Sequence, residues 1–553
     1  MAGDISVAND AAQGLPCFVQ VGFAGTRDLF GENDPVKRGQ LEAQAVDLLG
    51  VELNQLRAEF DLSTQHYFCG VSQIAIGADM VFTEACAKRT DFLQRIFLPQ
   101  HLEDYLHAGD TDGTRDFQEG EEQRARRLLT GSQIIEESVV ARSADRDERF
   151  EEVNLEIARS SDLVICLTRK LSDAERKKKE ENANNGGTGD LLNRALARGL
   201  TTLELEIEMV EDGQVVCSKR KWHNQQRLKD PESSARPVLP EDLHSVRIES
   251  GIPQVGAFLK AMEPLSGGAA ELWKAWFSRA AGVIVGTHVV ASLIAVGMLV
   301  FANTFSHPCL AGWLPWFVGG ELVLLITGFA THLALHRSHA AQRWALNRLM
   351  DMINLSVHGV AGLHMSLSYL FDLELPQSLR PLLRTLNVLH LRSSRGADRQ
   401  DWKSIRTNYL KRVAVQQKYY NASASSHRRK AQRDNVLFLL FSGTAIAIGA
   451  YKFFAHGLHL SEAEPGPWTK VFEIVGIIGP ILAVGILSYS AAMDHEANAV
   501  TFRETRTRID DLERQITAAK SRNEMERLVV ETERVLLGEN AAWFSRRTFK
   551  GVS

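Results

Sequence analysis

Three glycine-containing segments in the N-terminal part of the chain have the composition of an anion-binding site. The first is Gly22-Phe-Ala-Gly25-Thr26-Arg27, which directly follows a short apolar run. Glycine lets backbone N–H groups approach an anion closely, and a helix that begins after the loop adds a favourable dipole. Thr26 can donate a hydroxyl hydrogen bond, and Arg27 can hold a phosphate through two N–H groups.

The other two segments repeat this chemistry further along the chain. One is Gly77-Ala78-Asp79, where Asp79 can bind a ribose hydroxyl or, equally well, cap the helix that follows. The other is Gly186-Gly187-Thr188-Gly189-Asp190, again at a loop-to-helix junction. One glycine loop alone is usually steric in origin, but three loops at strand ends favour a common site.

The sequence lacks the standard motifs of nucleotide hydrolases and dehydrogenases. No GxxxxGK[ST] P-loop occurs, and no GxGxxG follows the first apolar run. The six cysteines form no CxxC pair and no Cys/His cluster, so we predict neither a metal site nor a disulfide framework. The 63 basic and 68 acidic residues give a net charge of −5, which argues against nucleic acid as a partner.

The elements that position these segments alternate between strands and helices. Apolar runs predict strands at 17–23, 65–72, 93–98, 162–168 and 201–210. Helices are predicted at 34–60, 80–88, 151–159 and 191–198, and within the charged region 109–147. Such alternation is typical of a parallel sheet with crossover helices, whose ligands bind at the carboxyl ends of the strands.

The order of these motifs resembles the SLOG domain, a relative of the LOG nucleotide-processing proteins. The matching strings are GFAGTRD at 22–28, AIGAD at 75–79, FLPQHLEDY at 97–105, SSDLVICL at 160–167 and GGTGDLLNRALARG at 186–199. The resemblance covers about residues 16–210 and implies a Rossmann-like α/β fold. Ala24 and Thr26 replace the threonine and histidine that many family members have, which leaves the ligand preference open.

Catalytic LOG proteins carry a Pro-Gly-Gly-x-Gly-Thr-x-x-Glu motif whose glutamate assists cleavage of an N-glycosidic bond. This chain has Asn-Asn-Gly-Gly-Thr-Gly-Asp instead, with Asp190 as the nearest carboxylate. The resemblance therefore implies binding without catalysis, no catalytic residue and no cofactor. The ligand-binding positions it implies are Gly22, Gly25, Thr26, Arg27, Gly77, Ala78, Asp79, Pro99, Gly186, Gly187, Thr188 and Asp190.

Four apolar stretches in the second half are each long enough to cross a bilayer as a helix, which takes about 20 residues. They occupy 280–305, 312–334, 435–455 and 471–492. The turn 306–311 has no Lys or Arg, whereas basic residues follow the second stretch and precede the third. The positive-inside rule then predicts a multi-pass membrane protein with both termini and the region 337–434 in the cytoplasm.

The predicted domains follow from these features. They are a flexible N-terminus at 1–15, a nucleotide-binding domain at 16–222, a linker at 223–265 and two membrane hairpins at 266–434 and 435–553. Long polar helices are predicted at 400–433 and 498–537. Glu321 and Glu473 lie in or near apolar stretches, so each can line an ion pathway. For Glu321, a position near the outer membrane interface without such a role is an equally good interpretation.

The second half resembles the SLATT domains, two-span membrane modules with long cytoplasmic helices. Gln416-Gln417-Lys418-Tyr419-Tyr420, before the second hairpin, carries the likeness together with the architecture. SLATT modules accompany SLOG domains in bacterial conflict systems and are inferred to form membrane pores. The two resemblances imply an all-α membrane domain joined to the α/β domain.

The sequence thus predicts a homo-oligomeric membrane effector of anti-phage defence. Its SLOG-like domain binds a nucleotide second messenger, either a cyclic oligonucleotide or a cyclic ADP-ribose-type molecule, and its membrane half opens or disrupts the lipid bilayer. Two alternatives stay open. One is a membrane-anchored LOG-like nucleotide hydrolase with Asp190 or Asp79 as acid or base, and the other is a nucleotide-gated channel without an immune role.

Overall fold

A computed structural model describes most of the chain. The described ranges are 13–32, 34–107, 117–171, 187–210, 212–230, 247–248, 251–300, 312–373, 375–396, 401–457 and 467–549. The chain divides into two units, of which the first comprises Met1–Met262 and Ala361–Gln400 and the second comprises Glu263–Val360 and Asp401–Ser553. The segment 361–400 therefore groups with the N-terminal unit, although the sequence places it in the first hairpin.

The first unit is built on a mainly parallel sheet. The strands of this unit are β1 Gln13–Gly14, β2 Cys17–Gly25, β3 His66–Ser72, β4 Phe92–Leu98, β5 Ile134–Val139, β6 Leu163–Arg169, β7 Thr201–Met209, β8 Val215–His223 and β9 Arg247–Ile248. Strands β1 and β9 form a separate two-stranded ladder. The order in the large sheet is β5-β4-β3-β2-β6-β7-β8, with only β8 antiparallel to its neighbour. The strand order reverses between β2 and β6, so the topological switch point lies there.

Helices connect these strands and form the second unit. In the first unit they are α1 Pro35–Glu59, α2 Ala78–Ala87, α3 Leu102–Leu106, α4 Glu119–Leu129, α5 Arg146–Ser160, α6 Thr188–Ala197 and α7 Gln226–Lys229. The helices that follow are α8 Val255–Val300, α9 Leu314–Arg337, α10 Ala340–Gly359, α11 Arg380–Ser394, α12 Trp402–Gly457, α13 Pro467–Met493, α14 His495–Ala518 and α15 Arg522–Phe549. Of these, α11 belongs to the first unit. The four crossover helices predicted from the sequence correspond to α1, α2, α5 and α6.

Alternating residues of β2 separate the two faces of the sheet. Val21 and Phe23 pack with α1 and α2, and the Phe23 ring stacks on Phe82 with centroids 4.2 Å apart. Ala24 joins the opposite core, formed with α5 and α6. Helices therefore cover both faces, as the period-two pattern of a buried parallel strand requires. This three-layer arrangement is compatible with the predicted Rossmann-like class.

The sequence predicts neither β5 nor β8. The strand β5 lies within the region predicted to be helical, and it carries a charged residue, Glu136, that is buried by pairing with Arg95 of β4. The strand β8 is an edge strand with exposed charges, and its Arg220 bonds Glu52 of α1 at 2.9 Å. Charged residues at both strands conceal the apolar signal that identifies the other strands.

Helix α11 completes the first unit although it is far from the sheet in sequence. It packs against β2, where Thr385 accepts a hydrogen bond from the Phe18 backbone N–H at 3.1 Å. Arg384 forms a buried ion pair with Asp162, at the start of β6. Almost all of α11 is buried, so this segment is part of the folded first unit and not of a membrane hairpin.

The second unit consists of long helices. The four predicted apolar stretches fall in α8, α9, α12 and α13, and these helices are long and apolar enough to cross a membrane. The third stretch continues directly from the predicted polar helix 400–433, because both belong to α12. In the described part of this unit, residues in left-handed conformation, His339 and Asp494, separate α9 from α10 and α13 from α14.

The prediction of one tail helix at 498–537 is wrong, because the helix breaks between α14 and α15. Ser521 accepts a hydrogen bond from the Glu524 N–H at 3.2 Å, and Glu524 accepts one from the Lys520 N–H at 2.8 Å. These bonds cap the start of α15, and a Ser-x-x-Glu pattern is the usual signature of such a start. The break lets α15 pack back against α14 and α10.

A buried ion pair joins the helices of the second unit. Glu533 of α15 is fully buried and receives two hydrogen bonds from Arg412 of α12, at 2.7 and 3.0 Å. The Tyr409 hydroxyl donates a third bond to Glu533 at 2.8 Å. Gly359, at the end of α10, leaves room for Arg412, since a Cβ atom there would overlap with the guanidinium. Three helices are thereby held at one point.

Candidate functional site

The loops after β2 and β6 meet at the switch point of the sheet. The Thr26 N–H donates to the Leu167 carbonyl at 3.0 Å. Arg169, the last residue of β6, forms an ion pair with Asp28 at 3.1 Å. Ligands of open α/β sheets bind at the carboxyl ends of the strands beside such a point, so these loops border the crevice where a ligand is expected.

The predicted loops 22–27 and 77–79 pack directly against each other. The Ala78 N–H donates to the Thr26 carbonyl at 3.2 Å. A Cβ atom on Gly25 would overlap with the Ala78 side chain, and one on Gly77 would overlap with the Arg27 carbonyl. Gly77 also has a φ of 83°. Both glycines are therefore required by the approach of one loop to the other, whatever else binds there.

Gly22 is shared by the predicted strand 17–23 and the predicted loop 22–27, and the structure assigns it to the strand. It lies inside β2 and not in the loop, and a Cβ atom on it would overlap with Ser161 at the end of α5. The strand β2 extends to Gly25, two residues beyond the predicted end. Gly22 thus permits close packing of α5 on the sheet, whereas Gly25, Thr26 and Arg27 are at the crevice.

Asp79, in the first turn of α2, is the most unusual carboxyl group of the site. It is 5% exposed, and burial raises its pKa to about 7. Hydrogen bonds from the backbone of Ala75 and Gly25, and the charge of Arg27, act in the opposite direction. Among the described residues its Oδ1 atom has no hydrogen-bond partner, and α2 has no side-chain cap, so Asp79 does not act as the predicted N-cap.

Two arginines bring positive charge to the same edge of the sheet. The Arg27 guanidinium lies over the Phe150 ring, 5.5 Å from its centroid. Arg149, beside Phe150 in the first turns of α5, bonds Gln100 just after β4. Pro99, the residue before Gln100, is buried at the end of that strand. Cations held over an aromatic ring and a strand end can attract a phosphate.

The third predicted loop is tied to α5. The buried Asn154 side chain donates to the Gly187 carbonyl at 3.3 Å and to the Asp190 carboxylate at 3.0 Å. Asp190 also bonds Arg194 at 2.8 Å. Gly187 and Thr188 form the uncapped N-terminus of α6. The Asp190 carboxylate is already engaged by two partners, whereas the N-terminal amides of α6 can bind an anion.

The structure brings together most of the predicted site residues and adds others. Gly186 lies outside the described residues, as do residues 172–185 of the charged segment that precedes it. Two residues at this edge were not predicted from the sequence. Asn154 bonds the third loop, and Arg149 bonds Gln100 just after β4. Both lie in the helix that enters β6, and a polar residue on the buried face of that helix is the only sequence signal for Asn154.

Taken as chemistry, this edge of the sheet offers groups that can hold an anion and groups that can bond a hydroxyl. It offers two uncapped helix N-termini, at Gly77 and Gly187, and the cations Arg27 and Arg149 for phosphate. The Asp79 carboxyl can accept or, when protonated, donate a hydrogen bond to a sugar hydroxyl. In the described part of the chain, no group of three or more His, Cys, Asp or Glu side chains could hold a metal ion.

The predicted pore residues lie on two of the long apolar helices. Glu321 is half-buried on α9. Glu473 belongs to α13, but its side chain lies outside the described residues. Their role in an ion pathway stays a prediction.

Comparison with known proteins identifies part of the second unit. Residues 409–543 match the family model of the SMODS and SLOG-associating 2TM effector domain 1, SLATT_1. The match spans most of α12, all of α13 and α14, and most of α15, and it includes the predicted motif 416–420. No curated protein and no solved structure matches the chain. The SLATT likeness is thereby confirmed for the second hairpin, and it points to an effector role in bacterial conflict and anti-phage systems.

Proposed function

We propose that the chain is a nucleotide-gated membrane effector of bacterial anti-phage defence. The first unit, a SLOG-like domain, binds a nucleotide second messenger at the carboxyl edge of its sheet. Binding then opens or disrupts the inner membrane through the four apolar helices of a homo-oligomer. One observation carries this proposal. The same chain contains both that edge of the sheet and a segment that matches a two-span effector domain.

The first unit supports the sensing half of the proposal. Arg27, Asp79 and the α6 N-terminus differ in chemistry, yet they converge beside the switch point where open α/β sheets bind ligands. The Asp79 Oδ1 atom is buried and has no hydrogen-bond partner among the described residues. Such a group costs free energy in the unliganded protein, and a ligand hydroxyl would relieve that cost.

The second unit supports the membrane half. The apolar side chains of its long helices are largely exposed, for example Leu322 and Val323 on α9 at 56% and 62%. Exposed apolar area of this size is explained by contact with lipid or with further subunits. To move a closed assembly almost completely to an open one, the ligand must prefer the open state by about 5.5 kcal/mol.

A leakage assay with the full-length protein in liposomes tests the proposal. Cyclic di- and trinucleotides and ADP-ribose isomers are added while release of a trapped dye is followed. Arg27→Ala should weaken the response to the active compound by about ten- to a hundredfold, as expected for loss of a charge-assisted contact. Arg159→Ala is the matched control, because this exposed arginine lies at the opposite end of α5.

The outcomes separate the two halves of the proposal. Leakage that one compound triggers, that Arg27→Ala weakens and that Arg159→Ala leaves unchanged supports it. Leakage with the same dose dependence in wild type and Arg27→Ala would place the ligand elsewhere. Compound binding without leakage would contradict the pore.

One observation favours a second candidate, a membrane-anchored nucleotide hydrolase. The Asp79 carboxyl has a pKa of about 7 because it is buried, and a group that titrates near neutrality can serve as a general acid or base. Asp190 is less suited, since Arg194 and Asn154 already engage it. Consumption of a nucleotide by the wild type, abolished in Asp79→Asn, would favour this candidate over the sensor.

A further inference from the structure

A cavity of about 390 Å³ lies where α12, α13 and α14 meet in the second unit. Its wall on α13 includes Ile486 and Leu487, which belong to the fourth apolar stretch. Its walls on α12 and α14 carry polar and charged side chains. The cavity therefore straddles the boundary between the apolar and charged surfaces of this hairpin.

The local backbone explains why a cavity forms there. Asp494 has a left-handed conformation, with φ 50° and ψ 40°, and it interrupts the helix between α13 and α14. On α12 the third apolar stretch begins at residue 435, and its Val436 is 63% exposed. On α13, Leu487 is 48% exposed. In a membrane, the cavity would thus be at the level of the lipid headgroups.

The cavity is lined by charges of both signs. Arg428 on α12 and Arg503 on α14 supply two guanidinium groups, and both residues are exposed. Asp434 on α12 and Glu496 on α14 supply two carboxylates. A ligand that carries one negative and one positive group matches this lining better than a simple anion does.

Asp434 is the distinctive residue of the cavity. It is 5% exposed, and its Oδ1 atom accepts a hydrogen bond from Arg433 at 2.8 Å. Its Oδ2 atom is buried and, within the described ranges, has no hydrogen-bond partner. A buried carboxylate oxygen without a donor is unfavourable, so a ligand N–H group that reached this atom would relieve the cost.

We propose that this cavity binds the headgroup of a phospholipid with a primary amine, such as phosphatidylethanolamine. The ammonium group, which has three N–H donors, bonds Asp434 Oδ2. The phosphate lies between Arg428 and Arg503, and an acyl chain follows Leu487 into the bilayer. The volume is near the lower end of ligand clefts, about 300–1,000 Å³, which suits a headgroup alone.

The lining predicts a definite order of preference among lipids. Phosphatidylcholine has no N–H donor, so it leaves Asp434 Oδ2 without a partner. Phosphatidylglycerol offers hydroxyl donors but no positive charge to balance the two carboxylates. We expect each to bind about tenfold more weakly than phosphatidylethanolamine, the usual effect of losing a charge-assisted hydrogen bond.

Native mass spectrometry of the full-length, delipidated protein tests this order. Phosphatidylethanolamine, its N-methyl and N,N-dimethyl forms and phosphatidylcholine are added in turn, and bound lipid per chain is counted. Affinity should fall most at the last methylation, which removes the last N–H. This comparison uses the wild-type protein and does not depend on the folding of a variant.

Two variants locate the binding in the cavity. Asp434→Asn should lower the affinity for phosphatidylethanolamine to nearly that for phosphatidylcholine. Arg428→Gln should lower the affinity for both lipids. Glu504→Gln and Arg429→Gln are controls on the same helices, because both residues are exposed and neither lines the cavity. A photoreactive amino acid in place of Leu487 should crosslink to lipid.

The proposal rests on the membrane insertion included in the proposed function, and flotation of the same protein with vesicles reports insertion separately. Equal affinity for the methylation series in protein that floats would overturn the headgroup site alone. So would crosslinking from position 487 to a second copy of the chain. Protein that does not float would overturn both proposals.

Discussion

The candidate site depends on a few residues whose size or charge is unusual for their position. Gly77 adopts a φ of 83° and contacts the Arg27 backbone so closely that no Cβ atom fits. Asp79, two residues later, is a buried carboxyl with one unpartnered oxygen among the described atoms. The first residue fixes the shape of the crevice, and the second gives it a group that a ligand can satisfy.

Gly77→Ala should destabilise the first unit by at least about 2 kcal/mol, because an L-residue is strained at this φ and its Cβ overlaps the neighbouring loop. Hydrogen exchange of β2 and β3 measures the loss. Gly39→Ala is the control, since Gly39 is exposed in α1 with open space around it. It should stabilise α1 by about 0.5–1 kcal/mol. Equal effects of the two changes would contradict the loop contact.

Asp79→Asn should stabilise the first unit at pH 8 but not at pH 4. The folded-state pKa of about 7 exceeds the ordinary value of 3.8 because the group is buried. The contribution of Asp79 to the free energy of unfolding is therefore fully present below pH 4 and is lost as pH rises through 7. Asparagine removes this loss, which is on the order of a few kcal/mol. Exchange protection measured across this range should rise relative to wild type only at the higher pH.

The exposed Asp47 provides the comparison for that experiment. It forms an ion pair with Lys88, and its side chain is 74% exposed. Asp47→Asn should leave the pH profile of the first unit unchanged. A wild-type profile that is flat between pH 4 and 8 would show that Asp79 is not buried as described.

At the scale of elements, two helices of the second hairpin meet through a pair of histidines. The Nδ1 atoms of His427 on α12 and His495 on α14 are 3.1 Å apart. Burial lowers the pKa of His427 to about 4, with further effects from His495 and from cations that include Lys430. Burial and Lys430 also lower the pKa of His495. The pair therefore favours neutral rings, one donating to the other.

Acidification should weaken the contact between α12 and α14. With folded-state pKa values below the ordinary 6.5, the unfolded segment binds more protons than the folded one. The contribution of the two histidines to stability is thus fully present above pH 6.5 and is lost as pH falls towards 4. Protection of both helices against hydrogen exchange should decrease over this range. The double change His427→Gln and His495→Gln should abolish the dependence, whereas a change of the exposed His358 to Gln should not.

The elements differ in how well local sequence predicts them. The crossover helices and inner strands were predictable because their apolar periodicity reflects burial against both layers of helices. The edge strand β8 was not, because its Arg220 is neutralised by Glu52 and Glu59 of α1, which lie far away in sequence. The break before α15 was predictable in principle from Ser521 and Glu524, which form a capping pattern inside the predicted helix 498–537.

The candidate site divides in the same way. Thr26, Arg27 and Asp79 could be placed at one edge because they follow strands of one parallel sheet. Asn154 could not, since its role depends on how α5 crosses the sheet and meets Gly187. The need for glycine at position 22 reflects packing against Ser161, a tertiary contact that no spacing in the sequence reveals.

At the scale of the molecule, the first unit is discontinuous in sequence. Helix α11 follows α8, α9 and α10 along the chain, yet it docks on β2 through Thr385 and on the start of β6 through Arg384. The periodicity of α11 predicts a helix with a buried face but not its partner. The attachment of residues 361–400 to the first unit is thus a property of the whole chain.

Arg384→Met should detach or loosen α11, because it leaves Asp162 buried without its counter-charge. Loss of one partner of a buried pair costs about 3–5 kcal/mol. Hydrogen exchange of α11 and β2 should increase, while the exposed Arg380→Met on the same helix should have little effect. Adding Asp162→Asn to Arg384→Met should restore much of the protection. Failure of the second change to restore it would assign the loss to packing and not to charge.

The discontinuity also bears on how the protein is made. A ribosome that has completed β8 has not yet synthesised α11, so the sheet emerges with the face near Phe18 uncovered. Both apolar helices of the first hairpin, α8 and α9, are translated before Arg384 appears. At synthesis rates of roughly 5–20 residues per second, the sheet waits on the order of ten seconds for its last helix. The two apolar helices of the first hairpin are therefore made before the first unit can be completed, and a nascent chain arrested before residue 380 should remain sensitive to protease.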